Sequence, residues 1–247
     1  IMENTSYIAM SRQKVLRSQM NNITQNLANM DTNGYKQQNM MFTDWIAANK
    51  DAPFRGERKI ALVQDIGQYR DTTVGNIETT ERDFDVALTK PDMYFSVDTP
   101  NGTRYTRNDN FSLDPGGQLI TSEGYPVLTD AGQPLFFGQA DTRVTIAGDG
   151  TVSTDVGQVG RLAVSTFDDI QQLKPEGSSL YNTDQQAQAV ENPGMVQGSL
   201  EKSNVNPIKA MVDMIEVLRS YQSVVKTIEN ENQRQRDMIS KLGDVRA

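Results

Sequence analysis

A run of residues spaced alternately three and four apart, kept without a slip from Met211 to Leu242, sets the strongest limit on what this chain can fold into. Its members are Met211, Met214, Leu218, Tyr221, Val225, Ile228, Asn232, Gln235, Ile239 and Leu242, apolar except for Asn232 and Gln235. A stripe of that period keeps facing one partner only if the helix pairs with another helix, so the spacing predicts a coiled-coil seam. The ends are marked too. Asn206 can cap the first turn, Pro207 suits the first helical position, and Gly243 can close the helix in the left-handed conformation. At about 1.5 Å per residue the helix would run to roughly 55 Å, too long for the core of one compact domain. It needs a partner.

Residues 5–29 supply a candidate. Leu16, Met20, Ile23, Leu27 and Met30 step by four and three, and Ala9 and Gln13 carry the register backwards. Two readings are open: pairing of the two terminal helices, or an amphipathic N-terminal helix lying on the middle of the chain. Shared coiled-coil spacing at both ends favours pairing. The turn cluster Asp31, Thr32, Asn33, Gly34 ends this helix. Asn232 and Gln235 either fix register at some cost in stability or mark a solvated helix end.

Between the helices the pattern changes. From Tyr35 to about Arg82 no helical or strand period lasts, and Phe42 and Trp45 stand as isolated anchors, so an extended arm is expected. Fifteen of the 18 glycines fall between Gly67 and Gly198. Short β-type runs recur there: Asp85–Leu88, Tyr94–Asp98, Thr103–Arg107, Phe111–Leu113, Val144–Ile146 and Leu162–Phe167. Pro100-Asn101-Gly102, Asp114-Pro115-Gly116-Gly117 and Thr129-Asp130-Ala131-Gly132 supply turns between them. The fold class read from this order is α+β and discontinuous. Residues 1–34 and 205–247 form a helical coiled-coil domain, 35–82 and 191–204 an extended arm, and 83–190 a central all-β domain.

The chain has no cysteine and no histidine. That removes disulfides, Cys/His zinc sites and every nucleophile–histidine arrangement, and no cofactor is expected. Carboxylates are the remaining acid–base groups. Asp83/Asp85 and Asp168/Asp169 could be read as glycosidase pairs, and Asp149-Gly150 or Asp114-Pro115-Gly116 as cation loops. Turn chemistry accounts better for all of them, and no enzyme is expected. The net charge of −8 is uneven: residues 1–30 carry +2, residues 205–247 carry +1, and the middle carries −11. An acidic body argues against nucleic acid and anionic membrane as partners. No apolar run is long enough to insert in a membrane. The opening residues lack the pattern of a cleaved signal peptide, since Asn4, Thr5, Ser6, Arg12 and Gln13 interrupt any apolar stretch.

Several residue groups together resemble one family. They are Asn26-Leu27-Ala28-Asn29 with Thr32-Asn33-Gly34-Tyr35-Lys36 and Phe42, then Arg82-Asp83-Phe84-Asp85-Val86-Ala87-Leu88, Tyr94-Phe95, Tyr105-Thr106-Arg107 and Gly117-Gln118-Leu119, and finally Leu200-Glu201-Lys202-Ser203-Asn204-Val205 before the long helix. In that order they resemble the axial proteins of the bacterial flagellum, the rod and hook family. Two departures stand out: Lys90-Pro91-Asp92-Met93 precedes Tyr94-Phe95, and Asp109 stands where the family usually has glycine. The length, with Val159–Val164 and Glu176–Tyr181, is more similar to the proximal-rod type than to the distal-rod type.

The resemblance implies a structural subunit of a periplasmic rod, exported without a cleaved signal. Its partners would be other copies of itself and other rod proteins, with no small-molecule substrate. Its assembly seam would comprise Leu16, Met20, Ile23 and Leu27 of the first helix with Met211, Met214, Leu218, Tyr221, Val225, Ile228, Ile239 and Leu242 of the last. Phe42 and Trp45 would be the arm's contact with a neighbour. The alternative from another class is an extracellular binding module, a β head on a coiled-coil stalk.

Overall fold

The computed structural model describes residues 2–48, 59–138, 141 and 143–244, with side chains described for 8–41, 67–138, 141 and 143–241. The fold is α+β, with one long helix at each end of a β-rich middle. The described residues fall into two contact units. One takes the two helices and the first two strands, and the other takes residues 29–37 and 70–205.

In the first unit, α1 (Met2–Ala28) and α2 (Pro207–Asp244) meet through an apolar cluster. Its buried members are Leu16 and Ile23 from α1 and Val217 and Val224 from α2. Ala9, Met20, Ala210, Met214, Tyr221 and Ile228 pack around them. Gln13 donates from Nε2 to the Tyr221 hydroxyl at 3.1 Å, extending the contact along the helices. Asn206 caps α2 as its sequence suggests: its Oδ1 accepts from Lys209 N at 3.1 Å and its carbonyl from Ala210 N at 3.0 Å. At the other end α2 continues through Gly243 to Asp244, so Gly243 does not terminate it.

The expected irregular arm contains regular structure. β1 (Gln38–Ala48) and β2 (Lys59–Arg70) pair in a two-stranded sheet. A two-stranded ribbon pairs each strand along one edge and need not bury one face, so its sequence need not alternate. That is why no period showed. The side chains of Phe42 and Trp45 lie on β1 but outside the described ones. Asn26 fixes where β1 starts. Its Nδ2 donates to Gln38 O at 2.8 Å and its Oδ1 accepts from Gln38 N at 3.0 Å.

The second unit holds the remaining strands. Along the chain these are β3 (Ile77–Thr79), β4 (Val86–Leu88), β5 (Tyr94–Thr99), β6 (Gly102–Thr106), β7 (Phe111–Leu113), β8 (Leu119–Thr121), β9 (Val144–Ile146) and β10 (Thr151–Thr154). They continue as β11 (Gln158–Arg161), β12 (Val164–Thr166), β13 (Lys174–Gly177), β14 (Leu180–Asn182), β15 (Gln188–Ala189), β16 (Met195–Gln197) and β17 (Ser199–Glu201). All six runs read as strands from sequence are strands, to within two residues at each end. They build a six-stranded sheet in the order β13-β14-β6-β5-β12-β15 and a four-stranded sheet β16-β4-β17-β3. A three-stranded sheet and the β7–β8 hairpin complete the unit. Phe95 and Phe111 meet edge-to-face at 5.0 Å inside a core that includes Val86, Val97, Leu119, Val127 and Leu135.

The boundaries therefore fall differently from those expected. Residues 191–204 are not a linker, because β16 and β17 lie within the four-stranded sheet. β17 is a central strand, bridged in parallel to β4 at Ser199–Val86 and paired antiparallel with β3.

Candidate functional site

The charged residues of three distant segments of the second unit converge on one buried carboxylate, that of Glu201. It is fully buried, and Lys36 and Arg107 are nearly so. Glu201 Oε1 accepts from Lys36 Nζ at 2.5 Å and from Gly75 N at 2.9 Å. Its Oε2 accepts from Arg107 Nε at 2.6 Å. Its backbone is held as well: the carbonyl accepts from Gly34 N at 2.8 Å and the amide donates to Asp109 Oδ2.

Both cations also donate to backbone carbonyls. Lys36 Nζ reaches Thr73 O at 2.6 Å. Arg107 donates from Nη1 to Met93 O at 2.7 Å, and from Nη2 to Leu88 O at 2.9 Å and Lys90 O at 2.8 Å. A buried charge group is tolerable only when its members are paired and hydrogen-bonded, and this one is. Burial holds the Lys36 ammonium below its usual range, opposed by the Glu201 carboxylate beside it. Asp109 carries the larger perturbation. Burial pushes its carboxyl up to about 8, against the pull of the amide bonds it accepts. Its second oxygen, Oδ1, is buried with no hydrogen-bond partner among the described residues.

Two glycines allow the segments to close on this group. Gly34 has φ +67°, and a Cβ there would lie 2.2 Å from Arg107 O. A Cβ on Gly75 would lie 1.9 Å from Lys202 O. Any side chain would push the 34–36 turn off Arg107 or the 73–75 segment off Lys202. Asn204 adds a third tie, accepting from Gln37 N at 2.7 Å and donating to Asp71 O at 2.9 Å. The result is a clamp on the residues through which the chain leaves α1 and enters α2. At 109 the backbone is not left-handed, so an aspartate fits where glycine was expected.

This arrangement is structural rather than catalytic. Its charged atoms are occupied by one another and by backbone groups. Of the other carboxylates considered as acids or cation ligands, Asp83 is exposed and the rest are engaged. Asp85 accepts from Thr80 Oγ1 at 2.6 Å and Asn110 Nδ2 at 3.1 Å, and Asp168 accepts from Gln188 Nε2 at 2.6 Å. Asp169 caps a short 3-10 turn at Ile170–Gln172, and Asp114 and Asp149 close their own turns. No group of three or more acidic side chains able to hold a metal ion occurs among the described residues.

The helix residues of the expected seam divide between two faces of α2. Met214, Tyr221 and Ile228 pack toward α1, as do Leu16, Met20 and Ile23 from the other side. Met211, Leu218 and Ile239 are exposed, Val225 is half-buried, and Leu27 is half-buried outside the cluster. Leu242 lies beyond the described side chains. The α1-facing positions missed by the spacing are Ala210, Val217 and Val224, and the buried Glu231 continues their row. They too step by seven, one residue ahead of Met211, Leu218, Val225 and Asn232. Sequence reasoning also left the clamp unassigned, although opposite charges in three otherwise turn-like motifs were a usable signal.

Three family models match along the chain. They are flagella basal body rod protein at residues 7–36, the flagellar hook protein FlgE/F/G D1 domain at 91–154, and flagellar basal body rod FlgEFG protein C-terminal at 196–241. The Glu201 clamp draws on both end matches and the middle one. Flagellar basal-body rod protein FlgF of Caulobacter vibrioides is 32% identical over 249 residues, covering 99% of this chain and 100% of the relative. Flagellar hook-basal body complex protein FlhP of Bacillus subtilis is 31% identical over 86% of this chain and 90% of its own length. Flagellar basal-body rod protein FlgG of Buchnera aphidicola subsp. Acyrthosiphon pisum is 32% identical over 92% and 93%. With full-length similarity and family matches at both ends and the middle, the chain belongs to the flagellar basal-body rod protein family, whose members are structural proteins and not enzymes.

Proposed function

We propose that this chain is a structural subunit of the flagellar rod, of the proximal type, which assembles through its terminal helices into a shaft that transmits torque. The observation that carries the reading is the two-sided apolar character of α2. One face packs on α1, while Ile208, Met211, Val212, Ile215 and Leu218 remain exposed on another. A long helix with apolar surface left over after its own pairing is suited to burial against further chains. The paired helices then act as a coiled coil within each subunit, and the exposed residues of the seam form contacts between subunits. Within the β-rich unit, the clamp at Glu201 ties the segment that follows α1 to the segment that precedes α2.

Full-length similarity to relatives named FlgF supports the proximal type over the distal one. Partners are further copies of this chain and other rod proteins, in the periplasmic part of the basal body. Phe42 and Trp45 on the β1–β2 ribbon tie each subunit to a neighbour.

The test replaces Leu218 with aspartate. A charge placed on an exposed position leaves the monomer's helix content unchanged by circular dichroism, but it costs several kcal/mol once that position is desolvated by a neighbour. Cells carrying L218D as their only copy are expected to lose swimming and complete basal bodies. Normal swimming would refute the reading. Trp45 is the single tryptophan, so its emission is expected to shift to shorter wavelength on assembly.

A further inference from the structure

We infer that the exposed apolar strip at the start of α2 in one copy seats in a cleft formed by α1 and the middle of α2 in the next copy. This deepens the reading as a rod subunit and rests on it.

The cleft lies entirely within the helical unit and has a volume of about 460 Å³. Its lining includes the apolar Ile8, Ala9 and Val224 and the exposed Arg12, Arg219 and Ser223. Neither arginine has an ion-pair partner among the described residues. Two cations beside an open apolar groove define the occupant: an amphipathic helix with an acidic flank.

The same chain exposes such a segment. Ile208, Met211, Val212 and Ile215 are 75%, 50%, 58% and 51% exposed. They occupy positions i, i+3, i+4 and i+7, the anchor pattern of a helix that docks in a groove. Glu216 follows directly, exposed and without an ion pair among the described residues. The dimensions agree. The α2 wall of the cleft runs from Arg219 to Thr227, about 12 Å of helix, and the strip from Ile208 to Ile215 spans roughly 10 Å. A second copy is therefore the occupant that supplies both the apolar anchors and the complementary charge.

Seating the strip of each copy in the cleft of the next leaves a free strip at one side and a free cleft at the other, so repetition builds a ring or a helix, whereas reciprocal seating between two copies would close a pair. Centres of strip and cleft differ by about eleven residues along α2, roughly 16 Å.

The natural sequence contains no cysteine, so an engineered pair reports without background. Three variants would each replace the chromosomal copy: Val212→Cys, Ser223→Cys, and the double. Basal bodies would be isolated and oxidised, since a bridge forms only where Cα atoms come within about 4.4–6.8 Å. The double variant is expected to give a ladder of dimer, trimer and higher species, while each single variant stays monomeric. Efficient dimers from Val212→Cys alone would overturn the inference in favour of a like-to-like contact. Absence of a ladder from rods that contain the double variant would overturn it and leave the rod reading intact. Complete rods without this chain in them would refute the rod reading itself. Should the cysteines block assembly, charge exchange provides the second readout. Arg12→Glu is expected to abolish swimming and Glu216→Arg in the same chain to restore it, and lack of restoration would overturn the pairing.

Discussion

Replacing Glu201 with glutamine keeps the size of the side chain, removes the charge that Lys36 and Arg107 share and turns one acceptor oxygen into an amide donor that faces other donors. Both cations stay buried, with their carbonyl partners but no counter-charge. Breaking a buried pair from one side costs about 3–5 kcal/mol, because the cost is that of the stranded charge rather than of the lost bond. A domain of this size loses about 2–4 °C per kcal/mol, so the β-rich unit should melt roughly 6–20 °C lower. The assay is calorimetry on the full-length monomer, following the transition of that unit. Glu78→Gln is the control: it removes an exposed partner of Lys202 at 3.9 Å and should change stability by less than about 0.5 kcal/mol. A drop for Glu201→Gln no larger than for the control would refute the clamp as a fold-determining element. A triple variant with leucine at 201 and methionine at 36 and 107 should recover part of the loss, since apolar replacement of a whole buried ion group is often neutral.

Asp109, pushed up to about 8, keeps a proton in the folded chain that the unfolded chain has released, so stability falls as pH rises from about 4 to about 8 and then levels off. Asp109→Asn should flatten that slope in melting curves taken across the window, and an unchanged slope would exclude Asp109 as its source. Gly34→Ala should prevent recovery of stable protein, because its Cβ would meet Arg107 O at 2.2 Å, whereas Gly124→Ala, with φ +89° and nothing within 4 Å, should cost only about 1–2 kcal/mol. Equal thermal stability of the two variants would contradict the tight approach. Val217→Asp, on the α1-facing side of α2, should lower helix content of the monomer by circular dichroism, where Leu218→Asp should not.

The local signals in this chain were strong enough to be read directly. Alternating steps of three and four require a helix whose stripe faces a partner, and Asn206-Pro207 marks its start by backbone chemistry alone. Turn dipeptides bounded the strands for the same reason, since positive φ at Gly102, Gly117 and Gly132 is a property of single residues. Which side of α2 turns toward α1 was not legible. Met214, Tyr221 and Ile228 belong equally to two stripes, one completed by Met211, Leu218 and Val225 and the other by Ala210, Val217 and Val224. Spacing cannot choose between stripes one residue apart. The tertiary structure chose the smaller side chains, which let two helices approach closely, and left the larger Met211 and Leu218 outside. The β1–β2 ribbon was hidden because a two-stranded ribbon that need not bury one face needs no alternating pattern. Glu201 and Lys36, 165 positions apart, illustrate the remaining limit. Each reads alone as a solvated charge near a turn, and only the fold, by removing water from both, makes them a pair.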